Sequence, residues 1–276
     1  MTVKIVTDST SDMPPELAAE LGVTVVPLTV FFGEEAFKDG VEITRDEFMK
    51  RLTGGGVLPK TSQPSVGDFL AVYKELTDAG DEVVSIHVSG KLSGTLNSAH
   101  GAAQELSGAS IKLVDTELVS MALTLVVRAA AVAAKGGATA EEVVRVAEDA
   151  SSKTDLYLTL ETLEYLAKGG RIGKAQALLG GLLSIKPVLK VVDGEVHPHE
   201  KVRTRAKALQ RMKEIAAEGG PYEDIALIHE AAAEDVQAFT EFLQPLSKAP
   251  LLVGRIGSVV GTYTGPGVVG FALRRA

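Results

Sequence analysis

The chain has 276 residues, of which 45% are hydrophobic, so it is long enough for two domains of ordinary size. Its formal net charge is −8, and it contains no cysteine and no tryptophan. This composition excludes disulfides and cysteine-ligated metals, and it disfavours nucleic acids and anionic membranes as partners. No apolar run reaches the ~18–20 residues of a membrane span. Because residues 1–7 are typical of a strand, we expect no signal peptide and a cytoplasmic location.

Strands and helices alternate through the first half of the chain. The run VKIVT predicts a strand, and the Pro14-Pro15 pair together with Gly22 predicts the limits of a helix. We interpret VTVVPLTVFF as one strand with an edge or bulge at Pro27, and TRDEFMKRL as a helix with a capping box. The remaining elements are the strand DEVVSIHV, a helix from about Gly94 to Leu106, the strand IKLVD, a long helix over 117–135 and a shorter one from Ala140. This alternation predicts a parallel sheet with crossover helices in three layers.

The second half has a different pattern. DLYLTLE predicts a strand, and LEYLAKGGRIGKAQALLGGLL predicts a broken helix. Asp193-Gly194 joins two strand-like runs and predicts a type I′ hairpin. Further elements are a helix over 205–218, the strand IALIHE, a helix near 233–244, the strand PLLVGRIG and a glycine-rich tail that ends in VVGFALRR. We therefore expect a mixed α/β chain of two domains, 1–154 with a parallel sheet and 155–276 with a mixed sheet.

Four polar turns follow predicted strands or precede predicted helices in the first half. They are DSTSD (8–12), KTSQPS (60–65), SGKLSGT (89–95) and DT (115–116). Ligands of α/β sheets bind at such turns, where hydroxyls and backbone N–H groups favour anions. Thr61, Ser62, Ser93 and Thr95 are therefore candidates to hold a carboxylate or phosphate. The alternative is that each is a helix cap, and Ser65, with Asp68 three residues on, is best explained as a cap.

Other residues admit two interpretations. Asp8 and Asp12 could bind a metal or act as a phosphatase nucleophile. His87 could serve as the base for Ser93, and a hydrogen-bonded core histidine explains it equally well. His197 and His199 share a strand face and could ligate zinc, although a solvated strand fits them better. The basic clusters KGGRIGK and KVRTRAK could meet a negative partner, or they could simply be solvated, as we expect for Arg205 and Lys207.

Several enzyme signatures are absent from the sequence. There is no P-loop, no dinucleotide-binding fingerprint after the first strand and no nucleophile elbow. Nothing in the sequence therefore indicates that this chain binds a nucleotide by itself.

Eight short motifs together resemble the DegV family of fatty-acid-binding proteins. In chain order they include DSTSDMP, KTSQPS, SGKLSGTLNSA, YLAKGGRIGK, KPVL, EKVRT and GPG at 265–267, with VDT between the third and the fourth. Each is weak alone, but their order over the whole chain is specific. The resemblance implies a two-domain α/β fold that holds a long-chain fatty acid (C14–C18) as its ligand, without a metal or another cofactor.

The resemblance also implies roles for particular residues. Thr61 and Ser93 match the hydroxyls that hold the carboxylate, with Ser62, Gly94 and Thr95 in the same turns. Asp8, Ser9 and His87 match supporting positions. Arg171 matches the arginine of the KGGR motif, and Arg203 matches an arginine associated with phosphotransfer and kinase contact.

The family further implies a non-catalytic carrier that presents its bound fatty acid to a separate ATP-binding fatty acid kinase subunit. The resulting acyl phosphate would serve phospholipid synthesis. One position departs from the family pattern, because Tyr263 stands in TYTGPG where the family commonly has histidine. A tyrosine donates a hydrogen bond but stays neutral at pH 7. The alternatives are therefore a lipid sensor or store without a kinase partner, or a hydrolase or phosphatase that uses Asp8 or Ser93.

Overall fold

The computed structural model describes residues 2–178, 185–230 and 233–276. The strands in this part of the chain are β1 Val3–Asp8, β2 Val23–Val26, β3 Thr29–Phe32, β4 Glu35–Lys38, β5 Lys60–Ser62, β6 Glu82–His87, β7 Ile111–Asp115, β8 Thr154–Thr159, β9 Lys186–Val192, β10 Glu195–Val202, β11 Asp224–His229, β12 Leu252–Arg255 and β13 Val269–Arg274. The helices are α1 Pro15–Leu21, α2 Arg45–Thr53, α3 Val66–Asp78, α4 Thr95–Glu105, α5 Met121–Lys135, α6 Ala140–Ser152, α7 Glu164–Gly169, α8 Arg205–Gly219, α9 Ala233–Leu243 and α10 Ser258–Thr264.

The first half forms the predicted parallel sheet, with strands in the order β2-β1-β6-β7. On one face, Phe69 and Tyr73 of α3 and Ala99 of α4 bury themselves against Val6 and Val83. Helices α5 and α6 cover the opposite face. Because the sheet is covered on both sides, its central strands β1 and β6 are largely buried on both faces, as parallel strands generally are.

The second half forms the predicted mixed sheet, with strands in the order β10-β9-β8-β13-β11-β12. The pair β11–β12 is parallel, and the other neighbours are antiparallel. Asp193 and Gly194 have φ values of 48° and 74°, as both central residues of a type I′ turn require. The α/β fold with one parallel and one mixed sheet is thus confirmed, whereas the division between residues 154 and 155 stays a prediction.

Helix α5 lies between the two sheets, in contact with β1 on one side and with β8, β11 and β13 on the other. This position explains its apolar sequence, since Leu123, Leu125 and Val127 are all fully buried. The predicted start at residue 117 is wrong. Glu117 and Ser120 have φ values of 53° and 59°, which break helical geometry, so the helix begins at Met121.

The run VTVVPLTVFF is not one strand, and this prediction is wrong. Its first part, β2, belongs to the parallel sheet, and its second part, β3, pairs with β4 and β5 in a small antiparallel sheet. The chain changes sheet at Pro27-Leu28. There the Leu28 N–H donates to Ser9 Oγ (3.1 Å) and the Leu28 carbonyl accepts from Asp39 N–H (2.9 Å), so loop contacts replace the sheet ladder.

Three further expectations are settled by the structure. The glycine-rich tail contains α10, which was not predicted. The broken helix is observed as α7 and a 3₁₀ turn at Gly173–Leu178, and its last part, 179–184, lies outside the described residues. Arg205 is not a solvated cation: it binds Glu161, the Gly267 carbonyl and Asp235, because α8 begins against these loops.

Candidate functional site

An apolar cavity lies between the two halves of the chain. It encloses about 1100 Å³ when its open mouth is included, which is ample for a small-molecule ligand. The second half supplies most of its aliphatic wall, which is formed by Leu156, Leu158, Leu166, Val191, Val196, Ile228, Ile256, Val259, Val260 and Val268. The first half adds Leu28, Val88, Leu92 and Val119. A flexible hydrocarbon suits such a lining, because its burial needs no polar partner.

The cavity has a polar region built from both halves. Thr61 Oγ1, on β5, lies 2.5 Å from the Tyr263 hydroxyl, on α10. The Arg171 guanidinium lies over the Tyr263 ring, 5.0 Å from its centroid, and Arg171 Nε donates to the carbonyl of Leu92, beside Ser93. Residues 202 positions apart are thus brought to one place. These side chains and that of Ser62 line the cavity, as the sequence analysis expected of a ligand site.

The turn that carries Ser93 is held by its own hydroxyls. Ser93 Oγ lies 2.8 Å from Thr95 Oγ1 and accepts from the Thr95 N–H at 3.3 Å. Thr95 is fully buried and does not line the cavity. Gly94 allows Gln63 to approach, because an added Cβ would lie 2.3 Å from Gln63 Oε1. Gly94 and Thr95 therefore shape the turn, while Ser93 faces the cavity.

Tyr263 depends on a glycine in α7. An added Cβ at Gly169 would lie 2.4 Å from Tyr263 Cδ1, so the ring lies directly against the backbone there. Arg171 Nη1 donates to the Gly169 carbonyl at 2.9 Å, which keeps the guanidinium over the ring. Through Gly169, the KGGR motif thus packs against the Tyr263 ring and holds the Arg171 guanidinium over that ring.

A second, outer pocket adjoins the polar region and shares Thr61, Arg171 and Tyr263 with the cavity. Lys60 and Lys168 also line it, and none of its described lining residues is acidic. The outer pocket is therefore positively charged in a protein of net charge −8. Such a pocket attracts anions to the end of the cavity where the hydroxyls lie.

Asp8 and His87 lie below the cavity and do not line it. His87 Nδ1 is 2.9 Å from Asp8 Oδ2, His87 Nε2 is 2.7 Å from Ser85 Oγ, and all three residues are fully buried. Ser85 Oγ in turn accepts from Tyr73, and burial raises the pKa of that phenol. His87 is a core histidine, and its ring nitrogens are not bonded to Ser93.

Two other expected residues also lie apart from the cavity. Ser9 accepts a hydrogen bond from the Leu28 N–H and stabilises the change of sheet. Arg203 is exposed between β10 and α8, and it does not line the cavity.

Four wall residues were not named from the sequence: Thr10 lies in the DSTSD turn, Ser120 in the segment predicted as a helix, and Val259 and Val260 on the unpredicted helix α10. The motif GPG was the one signal for α10, and Gly265, with φ 68°, does end that helix. An added Cβ at Gly265 would lie 2.3 Å from Tyr165 Cδ2, so this glycine also allows α7 and α10 to pack closely.

Within residues 2–178, 185–230 and 233–276, no group of three or more His, Asp or Glu residues could hold a metal ion. His199 is exposed and packs edge-on against Tyr157, with ring centroids 5.2 Å apart. Among the helices described above, none combines the length and apolarity that crossing a bilayer requires.

The family model described as "Uncharacterised protein, DegV family" matches residues 2–276. A DegV domain-containing protein of Streptomyces coelicolor is 41% identical over 273 residues, which cover 97% of this chain and 96% of that protein. A crystallised DegV family protein from Thermus thermophilus, described by its fatty acid binding, has a TM-score of 0.93 at 37% identity with both chains fully covered. A stearic-acid-binding protein from Eubacterium ventriosum has a TM-score of 0.90 at 29% identity, covering 99% of this chain and 98% of the other.

Proposed function

Because the chain belongs to the DegV family, we propose that it binds a long-chain fatty acid, with the tail in the aliphatic cavity and the carboxylate at Thr61, Ser93 and Tyr263. The observation that supports this proposal is that a single cavity has both a long aliphatic wall and a region of hydroxyl groups at its mouth. The ligands named for the two structural relatives support the same chemistry.

The tail supplies most of the affinity. A sixteen-carbon acid has fourteen methylene groups, and burial at ~0.8 kcal/mol each contributes about 11 kcal/mol before the costs of ordering. The head group acts mainly as a constraint, because a desolvated carboxylate without hydrogen bonds would cost several kcal/mol. The Thr61 and Tyr263 hydroxyls lie side by side, so both can turn their protons away from each other and towards one carboxylate in the cavity.

The cavity itself can be tested by filling it. Val196→Phe adds a ring to the wall, so we expect palmitate to bind at least tenfold more weakly, as measured by titration of the delipidated protein. Val132→Phe is the matched control, because Val132 is exposed on α5 and does not line the cavity. Equal palmitate affinity in the two variants would contradict the proposed location of the tail.

We further propose that this chain presents the bound carboxylate to a separate ATP-binding fatty acid kinase subunit. The carboxylate oxygen would attack the γ-phosphorus of ATP, giving an acyl phosphate and ADP, for use in phospholipid synthesis. Support comes from the outer pocket, whose Lys60, Lys168 and Arg171 lie next to the hydroxyls and favour a phosphorylated product. The protein would act in the cytoplasm and would have no catalytic activity alone.

Tyr263 favours a second candidate, a lipid sensor or store without a kinase partner. The Arg171 guanidinium lies over the phenol ring at the polar region, in the position where the family commonly has histidine. Acyl phosphate formation by a fatty acid kinase subunit, compared between the natural chain and Tyr263→His, separates the two candidates. Product from the natural chain supports the carrier, whereas product from Tyr263→His alone supports the sensor or store.

The hydrolase or phosphatase alternative has less support from the part of the chain that the structure describes. Ser93 is bonded to Thr95, and His87 is bonded to Asp8 and Ser85 instead of Ser93. Asp8 is fully buried and does not line the cavity. Turnover of acyl or phosphate esters that is lost in Ser93→Ala would revive this alternative.

A further inference from the structure

A pair of buried aspartates joins α10 to the first half of the chain. Asp12 and Asp39 are 2% and 5% exposed. Asp12 Oδ1 accepts from the Gly257 N–H at 2.8 Å, and Asp39 Oδ1 accepts from the Ser258 N–H at 3.0 Å. Ser120, a cavity-lining residue, donates to the other oxygen of Asp12. Two acids from separate loops therefore hold the start of one helix.

Helix α10 needs this support. It has seven residues, includes Gly261, and is far shorter than the ~12–15 residues at which isolated helices become even marginally stable. The carboxyl oxygens of Asp12 and Asp39 accept from N–H groups at its start, which have no partner within the helix. Since α10 contributes Val259, Val260, Tyr263 and Thr264 to the cavity, its placement sets both the aliphatic wall and the polar region.

Burying two carboxyl groups at the start of a helix is energetically unfavourable for their charged forms. Burial, together with the nearby charge of Asp39, raises the pKa of Asp12 to about 7, and burial also raises the pKa of Asp39. Arg45, on α2, donates to the Asp12 carbonyl at 3.4 Å and opposes both shifts. Ser120, which precedes α5, donates to Asp12, Thr124 of α5 donates to the Ser11 carbonyl, and burial lowers the pKa of His229 on β11.

We propose that Asp12 and Asp39 are positioning residues of the ligand site: they fasten α10, and through it Tyr263, over the cavity, and ionisation of these acids loosens the helix and speeds release of the ligand. This inference rests on the proposed fatty-acid site and adds a regulatory element to it. Neither acid lines the cavity, so both act through the helix that they hold.

The direction of the pH effect follows from proton linkage. With α10 in place, Asp12 keeps its proton up to about pH 7, whereas detachment returns it to water and to a pKa near 3.8. Detachment therefore releases a proton between these two values, and rising pH favours it by up to tenfold per pH unit. From pH 6 to pH 8 the change is about tenfold, and it levels off above pH 8.

The test is the dissociation rate of a fluorescent C18 polyene fatty acid from the full chain, measured by stopped flow between pH 6 and pH 8.5. The natural chain should release it about tenfold faster at pH 8 than at pH 6. Asp12→Asn keeps an acceptor for Gly257 without a titrating proton, so its rate should vary with pH far less than that of the natural chain, with Asp39 as the remaining titrating acid. Asp12→Ala should release the ligand quickly at every pH. Asp81→Asn, an acid that caps Thr2 instead of α10, is the matched control and should behave like the natural chain.

Equal rates at pH 6 and pH 8 in the natural chain would overturn the inference while leaving fatty-acid binding intact, and this result needs no variant. The same pH dependence in Asp12→Asn and in the natural chain would overturn it too. If Asp12→Asn does not fold, Asp39→Asn takes its place, with a weakened pH dependence as the expected result. Failure of the natural chain to bind the probe at pH 6 would instead contradict the proposed function, and the inference with it.

Discussion

At the scale of single residues, hydroxyl donors make up most of the proposed head-group site. Thr61, Ser93 and Tyr263 present hydroxyls to the cavity, and the guanidinium of Arg171, which also lines it, lies over the Tyr263 ring. Hydroxyl donors bind a carboxylate by hydrogen bonds, which leaves the anion reactive. A bidentate arginine would bind it more strongly and hinder its transfer.

Removal of these hydroxyls should weaken binding without unfolding the protein. Thr61→Val keeps the shape of the side chain and removes one donor, and Ser93→Ala does the same in the turn. A hydrogen bond to a charged group contributes about 1.5–3 kcal/mol, so each variant should bind palmitate roughly ten- to a hundredfold more weakly. Titration calorimetry checks this, with Ser110→Ala as the control, since that hydroxyl bonds Glu82 far from the cavity. Unchanged affinity in both variants would place the carboxylate elsewhere.

The residue scale also shows what the sequence could predict of the site. Thr61, Ser62, Ser93, Arg171 and Tyr263 were named from motifs, and the structure gathers them at one cavity, although their binding roles stay predictions. Asp12 was noted only as a possible metal ligand or nucleophile. Its actual partner, the Gly257 N–H, is 245 residues away, and no local pattern carries that information.

At the scale of elements, the sequence predicted the features that depend on residues close together in the chain. The capping box of Ser65 and Asp68 and the hairpin turn at Asp193-Gly194 are both observed, because each depends on neighbours within a few residues. The change of sheet at Pro27 and helix α10 were missed. Both are held by side chains from distant loops, namely Ser9 in the first case and the two aspartates in the second.

The contact between Asp12 and α10 allows a direct test at this scale. In Gly257→Ala the new Cβ would lie 2.6 Å from Asp12 Oδ1, so the acid or the helix must move. We expect a loss of about 1–3 kcal/mol in the free energy of unfolding, as for other overpacked sites. Denaturant unfolding measures it, and Gly56→Ala, where the added Cβ has open space, should change stability far less. Equal stability of the two variants would show that this contact is not tight.

At the scale of the whole molecule, the cavity arises from the packing of two sheets around α5. The periodicity of apolar residues predicted both sheets. It does not specify which aliphatic side chains line a cavity between the two halves and which pack against each other. Leu158 and Val196, for example, have the same apolar character as the core residues beside them. The cavity is therefore a property of the assembled fold and cannot be derived from strand patterns alone.

Ligand binding at such a cavity should stabilise the assembled fold. At a free palmitate concentration of 100 Kd, linkage predicts a gain of about 2.7 kcal/mol in the free energy of unfolding. Thermal unfolding with and without palmitate measures this gain as a rise in Tm. At the same palmitate concentration Val196→Phe, which should bind at least tenfold more weakly, should gain at most about 1.4 kcal/mol, whereas Val132→Phe should show the full gain. Equal gains in the two variants would indicate binding outside the cavity.

The most direct measurement is mass spectrometry of lipids released by denaturation from the protein as purified, followed by titration of the refolded or delipidated chain with palmitate and oleate. The account predicts a C14–C18 fatty acid in the extract and saturable binding of at least one added acid. An extract without lipid, together with no binding of either acid, would contradict it.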